Sequence, residues 1–233
     1  TIELNESQLA GDCLLIPAAG STYIGTAFDE YLVVELYTPD GLNALDAKTK
    51  YASAFKYPQG FFIPGIKISH VDARIAHYQN KSFDYSVDMT IFKDTIKSST
   101  TSSYYRVGAS NSPDRSSKDG YRLNHLLEAN GTLTFSNLDY ATKYQDEYFY
   151  ANNGTLFEPE DERSTFTMDK FTSFFENHDA STTSSEASSS TPSGVPLFNN
   201  GKKFGYEIRV NGIKAVTSDD KTSYKASLTI TKA

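Results

Sequence analysis

The densest group of chemically capable side chains is acidic. Glu158, Glu160, Asp161 and Glu162 put four carboxylates into five residues, interrupted only by Pro159. Charges so close repel unless water or a cation lies between them. A hard cation such as Ca²⁺ takes about six to eight oxygen ligands, and such a loop supplies several. Glu158, Glu160 and Asp161 are therefore candidate calcium ligands, with a solvated acidic loop as the plain alternative. Asp219 and Asp220 form a second, smaller acidic pair.

The other reactive side chains argue against catalysis. His70, His77, His125 and His178 show no metal-ligand spacing, and on one extended strand His70 and His77 point to opposite faces. Cys13 is the only cysteine. In the run Cys13-Leu14-Leu15-Ile16 it reads as a buried thiol, with a disulfide between two copies as the alternative. No Gly-x-Ser-x-Gly elbow and no phosphate-binding glycine loop occurs. Paired carboxylates for glycoside hydrolysis meet only in a fold, but the chain has no Trp to lie under a sugar ring. The expectation is a protein that is not an enzyme, with no catalytic or cofactor-binding residue to name. Four sequons, at Asn5, Asn80, Asn130 and Asn153, are candidate glycosylation sites of a secreted glycoprotein.

The chain ends carry a different chemistry, that of the backbone. The start, Ile2-Glu3-Leu4-Asn5, alternates apolar and polar residues, and so does the end, with Tyr224, Ala226, Leu228 and Ile230 on one face. An amphipathic strand at a sheet edge offers its N–H and C=O groups to another chain. Ile2 and Leu4 are candidates for a donated strand, and Leu228 and Ile230 for an edge or acceptor strand. Added head to tail, such strands build a filament or tube.

These groups must be positioned by strands. Phe83, Tyr85, Val87, Met89 and Ile91 alternate with polar residues, as do Phe204, Tyr206, Ile208 and Val210. The run 31–38 is almost continuously apolar and reads as a central strand, closed by a turn at Pro39-Asp40-Gly41. Shorter strands are expected at 13–16, 66–78, 132–135 and 147–150. Asn-Gly pairs stand at 130–131, 153–154, 200–201 and 211–212, and the last is expected to be a type I′ hairpin turn. Phe171, Phe174, Phe175 and His178 recur at helical spacing, so one short helix is expected over 169–178. About eight to ten strands with turns between them suggest an all-β fold, a β-sandwich or jelly roll. The Ser/Thr-rich tract at 180–194 reads as a long loop of one domain spanning 1–233, because the hairpin after it lacks area for its own core.

Composition sets the limits. The chain has 233 residues and a net charge of −7, which repels nucleic acid, and Lys and Arg do not cluster. No stretch of about 18 apolar residues exists, so no membrane span is expected. Residue 1 is Thr rather than Met, as in a secreted chain whose leader has been removed.

The opening residues, Ile2-Glu3-Leu4, then Glu6-Ser7-Gln8-Leu9, Gly11 and Pro17-Ala18-Ala19-Gly20, resemble the subunits of archaeal cannulae, extracellular hollow tubes. The resemblance implies a secreted, jelly-roll-like β subunit that assembles by strand exchange between copies with help from calcium. The expected function is thus a structural subunit of an extracellular filament, tube or surface layer, with itself as partner. An adhesin or lectin-like module is the first alternative. Its tyrosine-rich loops, at Tyr104-Tyr105 and at 148–150, would contact a glycan or host surface. A viral capsid or tail component is the second.

Overall fold

The computed structural model describes residues 1–19, 27–49, 60–79, 82–85, 103–107, 123–131, 154–160, 162–171, 197–218 and 221–233. Its strands pair into antiparallel ladders. One sheet holds β1 (Ile2–Asn5), β9 (Thr165–Phe166), β10 (Tyr206–Ser218) and β11 (Lys221–Lys232), in the order β1-β11-β10-β9. A second holds β2 (Leu14–Pro17), β3 (Glu30–Tyr37), β4 (Gly65–Asp72) and β8 (Asn124–Leu127), in the order β2-β3-β4-β8. A smaller sheet of β5 (Ala76–Gln79), β6 (Ser82–Asp84) and β7 (Ser103–Arg106) has the order β6-β5-β7.

The two four-stranded sheets share one core, as a β-sandwich does. The alternating residues decide which faces meet. Ile208, Val210 and Leu228 of the first sheet join Leu32, Val34 and Ile68 of the second in one buried cluster. Five phenylalanines plug its interior: Phe157, Phe166, Phe171, Phe198 and Phe204 are all fully buried. Phe166 sits at their centre, 5.2 Å from Phe171, 5.7 Å from Phe204 and 6.0 Å from Phe157. Tilted and edge-on packing of this kind satisfies the ring quadrupoles.

β3 is a central strand, as its continuous apolar run predicts, and the chain turns after it at 39–40. The expected strand 66–78 is broken at Ala73–Ile75, so β4 and β5 enter different sheets. Asn211-Gly212 is not a hairpin turn. β10 continues through it, and the register slips between Val210 and Gly212, leaving Asn211 without a cross-strand position. The site is a β-bulge, and Asn211 Nδ2 donates to Thr229 Oγ1 at 2.9 Å. The true reversal joins Ser218 to Lys221. Positive φ at Gly131, Gly154 and Gly201 fits the turns expected at the other three Asn-Gly pairs.

Among the described residues helix is confined to short turns. α1 (Ser7–Ala10) ends on Gly11, whose φ of 72° gives a left-handed cap, and α2 (Ala44–Lys48) follows a 3₁₀ turn at Gly41–Asn43. The segment read as a helix over 169–178 begins as a 3₁₀ turn, Met168–Phe171, and its remainder lies outside the described residues. So do the strands expected at 132–135 and 147–150, most of the run 83–91, and the tract 180–194. Among the described residues no helix is long and apolar enough to cross a membrane.

Candidate functional site

β1 lies at the edge of its sheet and pairs with β11 of its own chain. Ile2 stands opposite Leu228 and Leu4 opposite Ala226. Ile2 and Leu4, read from sequence as a segment reaching another copy, thus complete a sheet within one chain. Leu228 is fully buried beneath them, while Ile230 lies further along β11 opposite Ile208. After Asn5 the chain crosses to the second sheet. Glu6 bridges Leu36 in parallel, and its buried Oε2 accepts from Thr38 Oγ1 at 2.8 Å and from Gln8 Nε2 at 3.0 Å.

Beyond this edge the β10–β11 hairpin outruns its neighbours. β1 covers β11 only from Lys225 to Leu228, and β9 covers β10 only at Ile208 and Arg209. Further out, among the described residues, the two strands pair only with each other. A two-residue connection makes Ser218 and Lys221 the closing hydrogen-bonded pair. Alternation then turns the N–H groups of Thr222 and Tyr224 away from β10, to the open side. The connecting Asp219 and Asp220 lie outside the described residues.

The acidic loop is only partly assembled as a cation site. Glu158 Oε1 accepts from Arg163 Nη1 at 3.3 Å, so a guanidinium already answers that charge. Glu160 is exposed, on a left-handed backbone with φ of 75°. Asp161 lies outside the described residues. Among the described residues no three His, Cys, Asp or Glu side chains converge to hold a metal.

Sequence reasoning misses a buried polar cluster at one end of the second sheet. Glu30 Oε1 accepts from His70 Nε2 at 2.7 Å and from the Asn199 N–H at 2.6 Å, and its Oε2 accepts from the Asn200 N–H at 2.7 Å. Asp72 takes the Arg74 guanidinium in a fork, at 2.9 and 2.8 Å, and also accepts from Asn199 Nδ2 at 2.9 Å. Burial raises the Glu30 carboxyl above its ordinary value, and the Asp72 charge adds to this. His70 and Arg74 pull the other way. The cluster fastens the turn at 199–200 to the sheet, and its acceptors are spent on that task. Its members are up to 170 residues apart, so no local spacing announces them.

Of the sequons, Asn5 is exposed but its Nδ2 donates to Asp12 Oδ2 at 2.7 Å, and Asn130 is exposed on a turn. Asn80 and Asn153 lie outside the described residues. Cys13 is exposed rather than buried, because β2 is an edge strand and Cys13 precedes it on the side facing water. Tyr104 and Tyr105 lie on β7, where Tyr105 stacks on His77 at 4.7 Å and Tyr104 packs on Tyr78 at 4.8 Å. Residues 148–150 lie outside the described residues. Compared with protein families, curated proteins and solved structures, the chain matches none.

Proposed function

We propose that the chain is a structural subunit of an extracellular filament, tube or surface layer, built from copies of itself joined by β-strand addition. The observation that carries this reading is the hairpin whose two strands run past β1 and β9, leaving main-chain donors and acceptors on both sides among the described residues. A sheet with such edges is a template for another strand. Calcium enters the reading through the exposed Glu160 and Glu162, whose carboxylates a second copy's oxygens could join in one shell.

The test is electron microscopy and sedimentation of the purified protein, with calcium and with a chelator. Polymers are expected, and monodisperse monomers in both conditions would overturn the reading. Thr222→Pro sharpens it. Proline there removes an N–H that points away from β10, so the hairpin survives while the open side loses a donor. Assembly should weaken with the fold intact.

A second reading, a glycan-binding module, draws on the small sheet. There the half-buried rings of Tyr104, Tyr105, Tyr78 and His77 pair across strands, and the Arg106 guanidinium lies 5.9 Å from the Tyr78 ring centre. Saturable binding by monomers on a glycan array, lost in Tyr105→Ala, would favour it.

A further inference from the structure

A carboxylate taken out of water is costly unless it is paired or coordinates a metal. Arg74 answers two of the buried acids, Glu30 at 3.7 Å and Asp72 at 2.8 Å. Glu6 is as deeply buried, at 2 % exposed, yet among the described residues it joins no ion pair.

Its hydrogen bonds are lopsided. Oε2 accepts from Thr38 Oγ1 and from Gln8 Nε2, both neutral donors. Oε1 is shut off from water and, among the described residues, accepts nothing. Gln8 repeats the pattern. Its amide turns the NH₂ end to the carboxylate, so the carbonyl Oε1 is left over, also out of water and without a donor among the described residues. The carboxylate and the amide meet at 3.0 Å, which brings both unanswered oxygens into one neighbourhood. Native interiors rarely leave such acceptors bare; a water or an ion meets them. A water would satisfy the lone pairs and leave the charge, whereas a cation satisfies both.

The surrounding backbone holds these groups in place. Glu6 bridges Leu36 of β3, Thr38 is fully buried, and Asn43 Nδ2 donates to Thr38 O at 3.0 Å. That bond pins the 3₁₀ turn, which packs against α1. Gly41 lets the turn lie close to Gln8: its φ is 58°, and a Cβ there would stand 3.2 Å from Gln8 Cγ.

We propose that Glu6 Oε1 and Gln8 Oε1 are ligands of a buried hard cation at the crossing from β1 to β3. The ligands are oxygens, which select hard ions over soft ones. One carboxylate among neutral groups is balanced by one positive charge, so the ion is an alkali cation, sodium or potassium. A divalent ion would leave a net charge buried. The chain passes between the two sheets at this point, so the ion fastens the N-terminal segment to the sandwich. The site is separate from the acidic loop at 158–162 and does not depend on assembly.

The test is thermal melting of the full chain in mixtures of sodium, potassium and tetramethylammonium chloride at one ionic strength, which holds screening constant. Tetramethylammonium is too large for a buried site. The melting temperature should rise as sodium or potassium replaces it, by mass action on the native state. Glu6→Gln keeps the shape and removes the charge, so this dependence should vanish. Gln8→Ala should keep it with an apparent affinity about tenfold weaker or more. The sodium NMR resonance should broaden with the wild type and not with Glu6→Gln. A wild type that melts alike in all three salts would overturn the site, as would a Glu6→Gln variant that keeps the wild-type dependence. Stabilisation by calcium or magnesium with none by sodium or potassium would overturn the single charge.

Discussion

Glu30 lies wholly out of water, and its carboxyl is held above the ordinary 4.5 by burial first and by the Asp72 charge second. A carboxyl raised by folding binds its proton more tightly in the native chain than in the unfolded one. Its contribution to stability is greatest below the unfolded value and is lost as pH rises through the folded one. Glu30→Gln removes that titration. Stability of the wild type relative to the variant should therefore decline as pH rises above about 4.5, read by denaturant melts at several pH values. A difference independent of pH would mean that Glu30 titrates alike in both states. Gly65 sets a steric limit instead. A Cβ there would stand 2.6 Å from Leu156 Cβ, an atom fixed to its backbone, where Ile66 and Phe157 exchange two hydrogen bonds of 2.8 Å. Gly65→Ala should destabilise by about 1–3 kcal/mol as overpacking, measured by urea unfolding.

At the scale of elements, the β10–β11 hairpin shows what alternation can and cannot carry. Its apolar period places Ile208, Val210, Ala226 and Leu228 on the core face, and that much is legible without coordinates. Asn211-Gly212 looks locally like a two-residue turn, yet the strand runs through it as a bulge. The register on either side lets both halves of β10 pair with one continuous β11, and those long-range hydrogen bonds outweigh the turn preference of two residues. Deleting Asn211 removes the one residue without a cross-strand position, so the pairs Val210–Leu228 and Gly212–Ser227 become consecutive and Ile208 and Val210 keep the core face. That deletion should therefore leave unfolding cooperative in urea melts, and Asn211→Ala, which loses only the bond to Thr229, should cost no more than about 1 kcal/mol. The all-β class and the central β3 were readable because burial on a sheet imposes a period. The Glu30–His70–Asp72–Arg74 cluster was not, since its parts come from β3, β4, the segment after β4 and the turn at 199–200. Cys13 departs from the expected burial for a related reason: an apolar run does not say which strand will be the edge.

For the whole molecule, β1 is the element on which folding and assembly meet. It covers only four residues of β11, yet Leu4 is 5 % exposed and Ile2 packs against the same core. Deleting residues 1–5 removes that burial and leaves β11 from Lys225 to Leu228 as an unpaired edge over the core. Loss of the Leu4 side chain alone corresponds to about 2–5 kcal/mol in a well-packed interior, so the deletion variant should melt markedly lower than the full chain. A synthetic peptide of residues 1–6 should restore the melting temperature as its concentration rises, because a ligand for the native state stabilises by mass action. The full chain, whose groove its own strand fills, should ignore the peptide. A deletion variant that melts unchanged and does not bind the peptide would mean that β1 contributes nothing to this sheet. If the peptide does bind, the same groove accepts a strand supplied from outside. A β1 contributed by another copy then needs no new surface, only a chain whose own first strand has let go.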